Sequence, residues 1–369
     1  MLRWLSTLLR PAGHRRPPHT VAVPRLASPP GRRAAAEPAP APVAEAPLPP
    51  DAPPFAGFAR ALGVEVPPAP DPEHPEEPDP ADLVLAEQVL AHFHRNRPGP
   101  ASAPSLSLKA LNLVATPGAD VGEMVRLVSA DPALSAGILT VANSVFYRGL
   151  EEIETVRAAV VRLGLEEAAR VVGALSAKSL FNPRLKAELA SYAPRFSALY
   201  ARALTVASGA AWVAMQRRGG RADRAFLGGM LFDVGQTIAL RSAAALSAAS
   251  GQPLDAAQLD RVLDRVHLEV GAECHQEWLL PQFLTVIAVR HHDPEIPGDP
   301  EFADLHAVRL CGALLDLRQP ARAARAAQEL LQSAGALGLS PFAVRSVDAE
   351  LRQAALRTES AFGLEGGAR

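Results

Sequence analysis

Prolines are crowded at one end of this chain: 21 of its 35 lie in residues 1–80. Proline removes a backbone donor and clashes with the preceding helical turn, so a stretch rich in Ala-Pro and Pro-Pro steps forms few ladder bonds and buries little. Regular structure is thereby confined to the remainder, and a solvated tail is expected for residues 1–80. The first 36 residues carry seven arginines and no acid, whereas residues 65–79 turn acidic. Two other readings of the start stay open. Residues 1–10 would form a short basic amphipathic helix touching an anionic membrane surface, or the acid-free run would serve as an organelle transit peptide. A secretory signal fits less well, because Pro11, Arg15 and Arg16 follow the apolar run where small residues belong.

Beyond residue 80 the apolar positions recur at helical spacing. Leu83, Leu85, Val89, Leu90 and Phe93 mark a helix that stops before Arg97-Pro98-Gly99-Pro100. Residues 81–100 are read as this helix and a linker. Asp120 with Glu123 forms a capping box, and Asp131-Pro132 supplies an N-cap and a first-turn proline. The helix that follows buries Leu134, Ile138, Val141 and Ala142 and ends at Asn143-Ser144. Val156, Ala159, Val160 and Leu163 give a helix broken at Gly164, and Leu165–Leu180 gives another. The pattern stays helical over Pro194–Met215 and Asp223–Leu246. Two or three helices are expected between Leu254 and Leu317, and two more over Arg322–Leu356. No strand alternation is evident, so the fold class is all-α.

Composition narrows the partners. A net charge of −2 gives no global reason to expect nucleic acid. The two cysteines, Cys274 and Cys311, lie in apolar helical surroundings, which argues against a disulfide framework and for a reducing cytoplasm. The longest apolar stretch, Ala203–Met215, falls short of the roughly 20 residues a bilayer requires, so no transmembrane helix is expected.

Several motifs, in order, carry a resemblance. Asp131-Pro132-Ala133-Leu134 is followed by Ala142-Asn143-Ser144-Val145-Phe146-Tyr147, then by Ala158, Val160 and Leu163-Gly164. Next come Gly229-Met230-Leu231-Phe232-Asp233-Val234-Gly235 and His267-Leu268-Glu269-Val270-Gly271. Trp278-Leu279-Leu280-Pro281 and Arg290-His291-His292-Asp293-Pro294 close the series. Together they resemble the HDOD family, signalling relatives of the HD-type metal-dependent phosphohydrolases. The resemblance covers roughly residues 100–320. It implies a multi-helix bundle with an N-terminal helical lobe and an HD-like lobe over 101–320, followed by a helical extension over 321–369.

The same resemblance exposes a substitution. HD enzymes bind a divalent metal through an adjacent His-Asp pair, and here Phe232 stands before Asp233. A benzyl group has no lone pair for a metal. The matching stretches place Arg202 or Ala203 at the family's first histidine and Gly312 at its closing aspartate, and neither arginine nor glycine ligates a cation. No metal, no cofactor and no catalytic residue are therefore expected. Asp233 reads as a buried acceptor paired with Arg202, and His267 as a residue at the start of a helix. His267 and His275, eight positions apart, project about 80° apart and do not converge. His291 and His292 read as a helix C-terminus before Pro294, only one of them able to face a shared pocket. Arg290 beside them is expected to help hold an anion. Asn143 is expected to bond the next turn, and Trp278 to anchor the corner before Pro281.

Three functions compete. The leading one is a non-catalytic signal-transduction or scaffolding module that binds a protein partner. The second is a metal-dependent phosphohydrolase with rearranged ligands drawn from Asp233, His267, His291 and His292, which requires those side chains to converge. The third is a nucleotide-sensing pseudoenzyme in which Arg202 and Arg290 replace the metal's charge.

Overall fold

Acidic and hydroxyl side chains set where the helices begin. In the computed structural model, which describes residues 79–99, 108–110, 113, 120–147, 149, 151–181 and 187–362, Asp79 caps α1 (Pro80–Arg95) and Asp120 caps α2 (Val121–Ser129). Asp131 accepts from Ala133 and Leu134 at 2.8 and 3.2 Å to open α3 (Pro132–Ala142), with Pro132 at a position that has no N–H to lose. Thr155 caps α4 (Val156–Leu163), and Gly164, at φ 80°, turns the chain straight into α5 (Leu165–Phe181). That left-handed backbone suits glycine alone without strain. Of the tail expected over residues 1–80, residues 1–78 lie outside the described residues, and Asp79 and Pro80 open α1 instead.

Helices α2–α5 form the N-terminal lobe. α3 and α4 pack on each other, α2 lies against α4, and α5 leads out to the second lobe. Asn143 ties the lobe together: its Nδ2 donates to the Ile153 carbonyl and its Oδ1 accepts from the Ile153 N–H, both at 2.8 Å. This is the bond to the following segment that the sequence suggested. Tyr147 donates its hydroxyl to Glu167 at 2.6 Å.

The second lobe is built around α6 (Ala193–Met215), against which α7 (Ala222–Leu231), α11 (Ala303–Asp316) and α13 (Pro341–Phe362) pack. α8 (Val234–Ser250) lies on α9 (Ala256–Glu277), α10 (Gln282–Arg290) follows, and α12 (Pro320–Ala336) covers α11. The residues read as a C-terminal extension share this core: Ala326, Leu330, Val344 and Leu351 are buried with Val206 and Cys311. Trp278 anchors the turn after α9, its indole N–H donating to the Pro98 carbonyl at 3.0 Å, and Pro281 sits at the cap of α10. Among the described residues every regular element is helical, and both cysteines are free and buried.

Two expectations need correction. The helical pattern over Asp223–Leu246 is interrupted: it forms two helices, because the chain breaks at Phe232-Asp233, where Asp233 has φ −116° and ψ 18°. The apolar run is also longer than the sequence suggested: Ala190–Met215 is long and apolar enough to cross a membrane by length and composition. Of its most apolar window, 67% is buried inside the protein, as befits a bundle's central helix.

Glycine fixes the closest contact in this lobe. A Cβ on Gly235 would lie 1.9 Å from the His267 carbonyl oxygen, so α8 and α9 touch backbone to backbone there. Gly235→Ala is expected to destabilise the fold by about 3 kcal/mol through overpacking. Gly335→Ala, where a Cβ meets nothing within 4 Å near the end of α12, should stabilise it by about 0.5 kcal/mol. Urea midpoints of the two variants check the contrast.

Candidate functional site

The backbone contact at Gly235 draws α8 against α9 at the point where the α7–α8 break presents Phe232 and Asp233. Both side chains are buried. From α6, Arg202 reaches the same spot. Its Nη1 and Nη2 donate to the two carboxylate oxygens of Asp316 at 2.9 and 3.0 Å, and its Nε donates to Asp233 Oδ2 at 3.4 Å. Its guanidinium carbon lies 5.7 Å from the centre of the Phe232 ring. Gln236 donates to the same Asp233 oxygen at 3.1 Å.

Gly312 completes this half of the site. A Cβ there would come 3.7 Å from the Phe232 ring and 3.8 Å from Arg202 Nη2. The three positions matched to lost metal ligands, Arg202, Phe232 and Gly312, thus meet in space. Asp316 was missed. It lies one helical turn beyond Gly312 on α11, and a shift of four positions keeps the same helix face. Burial raises the Asp233 carboxyl pKa, but the charges of His267 and Arg202 outweigh it and hold it well below the usual range. For Arg202, burial works against the charged form, and Asp316 and Asp233 reverse that effect.

On the other side of Asp233 stand three imidazoles. His267 lies in the middle of α9 rather than at a helix start, because Asp255, twelve residues earlier, is the cap. His291 is the C-cap of α10 and His292 follows it. Their ring centroids are 4.2 Å apart, and they lie 5.4 and 5.3 Å from that of His267. The expected divergence of adjacent residues holds within a helix; here the helix stops at Arg290 and both rings turn inward. His275 stays outside the trio, as its spacing from His267 implied.

Each imidazole has its Nδ1 committed. That of His267 lies 2.8 Å from the Asp264 carbonyl, and that of His291 2.9 Å from the Ala288 carbonyl. His292 Nδ1 lies 2.6 Å from Glu329 Oε1. Carbonyls only accept, so His267 and His291 carry a proton on Nδ1, which leaves Nε2 as the nitrogen that ligates when the ring is neutral. Those two Nε2 atoms and Asp233 Oδ1 are buried without a hydrogen-bond partner, and His267 Nε2 lies 3.7 Å from Asp233 Oδ1. Burial holds His291 well below the normal histidine range, with His292 adding to the effect. Burial also pushes His292 down to about 3 and Glu329 up to about 7.

Arg290 does not join Arg202. It donates to Asp293 at 2.8 Å and to the Glu295 carbonyl at 3.1 Å, and lies over Phe302, so it closes its own loop. A cavity of about 430 Å³ opens beside Arg202, lined by Thr205, Gln236, Leu240, Leu315 and Arg322. Arg322 lies 3.4 Å from Asp264 and 3.6 Å from Asp316, so the cations on this wall already face carboxylates.

The residues do not fit the metal centre of an HD-type hydrolase. Where the histidine of the pair would stand there is an apolar ring, and beside it a guanidinium occupies the space between two carboxylates. Arg202→Met leaves Asp316 with Arg322 at 3.6 Å and Asp233 with Gln236 and His267, and the loss of the close cation from two buried carboxylates is expected to cost about 3 kcal/mol at pH 7. The sign with pH follows from Asp233. Its folded pKa is depressed, so its contribution is present above the unfolded value of about 4 and is lost as pH falls through the folded one. Without Arg202 that depression weakens and the carboxylates take up protons sooner, so the deficit against the wild type should shrink at pH 4, as urea midpoints at the two pH values would show.

Comparison with known proteins agrees with this architecture. The HDOD domain model matches residues 101–294. An HDOD domain protein of unknown function from Geobacter sulfurreducens superposes with a TM-score of 0.54 at 22% identity, covering 78% of this chain and 98% of that one. A provisionally assigned metal-dependent phosphohydrolase from Shewanella amazonensis SB2B gives 0.51 at 18% identity, over 73% and 99% of the two chains. A provisionally assigned signal transduction protein from Marinobacter aquaeolei VT8 gives 0.53 at 19%, over 77% and 66%. At these identities the solved structures speak for the fold alone. No curated protein matches the sequence.

Proposed function

We propose, from the premise that this chain belongs to the HDOD domain family, that it is a non-catalytic signal-transduction module acting through a protein partner. One observation carries the reading: Arg202 is clamped between Asp316 and Asp233 where an HD-type enzyme would hold its metal. Phosphodiester hydrolysis at such a centre needs a Lewis acid that both acidifies water and steadies the developing charge. A guanidinium supplies fixed positive charge and hydrogen-bond donors, but it neither coordinates water nor lowers its pKa. The module would work in a reducing cytoplasm, consistent with its two free buried cysteines.

A second reading, a phosphohydrolase with rearranged ligands, is favoured by the convergence of His267, His291 and His292 beside Asp233. One assay separates the two. Protein supplied with Mn²⁺ or Fe²⁺ should hydrolyse neither an activated phosphodiester nor cyclic dinucleotides above the protein-free rate. Turnover that disappears in Asp233→Asn would establish the second reading instead.

A further inference from the structure

We propose that Asp233, His267, His291 and His292 form a closed, mononuclear site for a divalent first-row transition metal of the zinc class, serving to pin α8, α9 and α10 together. The donor nitrogens of the three histidines all lie within 4.8 Å of one another, and Asp233 Oδ1 lies 3.7 Å from His267 Nε2. A tetrahedral ion with bonds of about 2.1 Å spaces its ligands by about 3.4 Å. Small rotations bring the three histidine nitrogens to that spacing, and Asp233, whose Oδ1 lies 3.7 Å from His267 Nε2, would turn toward the ion as the fourth ligand.

The alternative is three packed core histidines, and the hydrogen bonds argue against it. A buried imidazole nitrogen without a partner costs free energy, and native interiors rarely leave one so. Here two such nitrogens and a carboxylate oxygen, all on residues at most 5% exposed, are unpartnered; the histidines lie in one cluster, and the oxygen is 3.7 Å from His267 Nε2. Such a cluster needs a shared proton or a metal ion to satisfy it, and a single proton leaves at least one of the three atoms without a partner. The opposite edges are also arranged as for metal ligands. Asp264 and Ala288 carbonyls fix the Nδ1 protons of His267 and His291, and Glu329, once ionised, accepts from His292. Such outer partners set the tautomer and raise the basicity of the ligating nitrogen.

Three imidazoles and one carboxylate suit zinc and its neighbours better than magnesium or calcium, which prefer oxygen. Arg202 and Gln236 engage Asp233 Oδ2, which leaves Oδ1 for the ion. The edge of the Phe232 ring packs on His291, with centroids 5.1 Å apart, and shields that side from water. The site does not depend on the signalling reading: metal without hydrolysis leaves both standing, and metal with hydrolysis overturns that reading alone.

The test is metal analysis of the purified full chain, followed by Co²⁺ titration of chelator-stripped protein. Expected are one equivalent of metal per chain, the intense visible bands of four-coordinate Co²⁺, and a higher melting temperature for the loaded protein. His291→Ala and His292→Gln should lose the bands, and His94→Ala, in the exposed His94/Glu269/Glu273 group, should keep them. Should His291→Ala fail to fold, His292→Gln at the less buried edge and the wild-type spectrum still decide. Stripped protein that is folded by circular dichroism yet binds no Co²⁺ overturns the proposal. So do the weak bands of six-coordinate cobalt, or binding lost only in His94→Ala.

Discussion

A single buried cation joins three parts of the second lobe. Arg202 comes from the central helix, Asp316 from the end of α11, and Asp233 from the break between α7 and α8. Three charges taken out of water are tolerated only because each has its partners. The planar fork of arginine satisfies one carboxylate through two parallel bonds while a third N–H faces the other. A lysine could not span both with the same geometry. Around this clamp the apolar ring of Phe232 and the bare backbone of Gly312 fill the remaining space. Phe232 gives the guanidinium a ring to lie near, and Gly312 leaves room for both.

Much of the fold was legible in the chain because it rests on local rules. Asp131-Pro132 and Asp120 announce helix starts through side-chain acceptors, and Gly164 announces a left-handed break. The break at Phe232-Asp233 was not legible, since neither residue interrupts a helix by itself; tertiary contacts at Gly235 and Asp233 impose it. The site was half legible. Asp233 with Arg202 could be read from the motif and from the need of a buried charge for a partner. Asp316 was hidden because no motif marks it and its pairing with Arg202, 114 residues away, is a tertiary contact. His267 was assigned to a helix start for want of weight on Asp255, the true cap. The convergence of His291 and His292 depends on where α10 stops, a matter of one or two residues that spacing arguments do not resolve.

The two sides of Asp233 face different tasks. Its Oδ2 is held by Arg202 and Gln236, while its Oδ1 looks toward the imidazoles. One carboxylate therefore divides a cleft into a half whose charge is internal and a half whose donors are unfilled. The helices that carry the two halves meet at the α7–α8 break, along α8 and α9 where Gly235 touches His267, and where α10 packs on α7 and α11.

A guanidinium tethered to its own chain has a further consequence. An ion held by ligands dissociates, and its occupancy follows supply, acidity and competing chelators. Arg202 does none of this, because its local concentration is fixed by covalent bonds. The half of the cleft it fills therefore carries its compensating positive charge whatever the supply of metal.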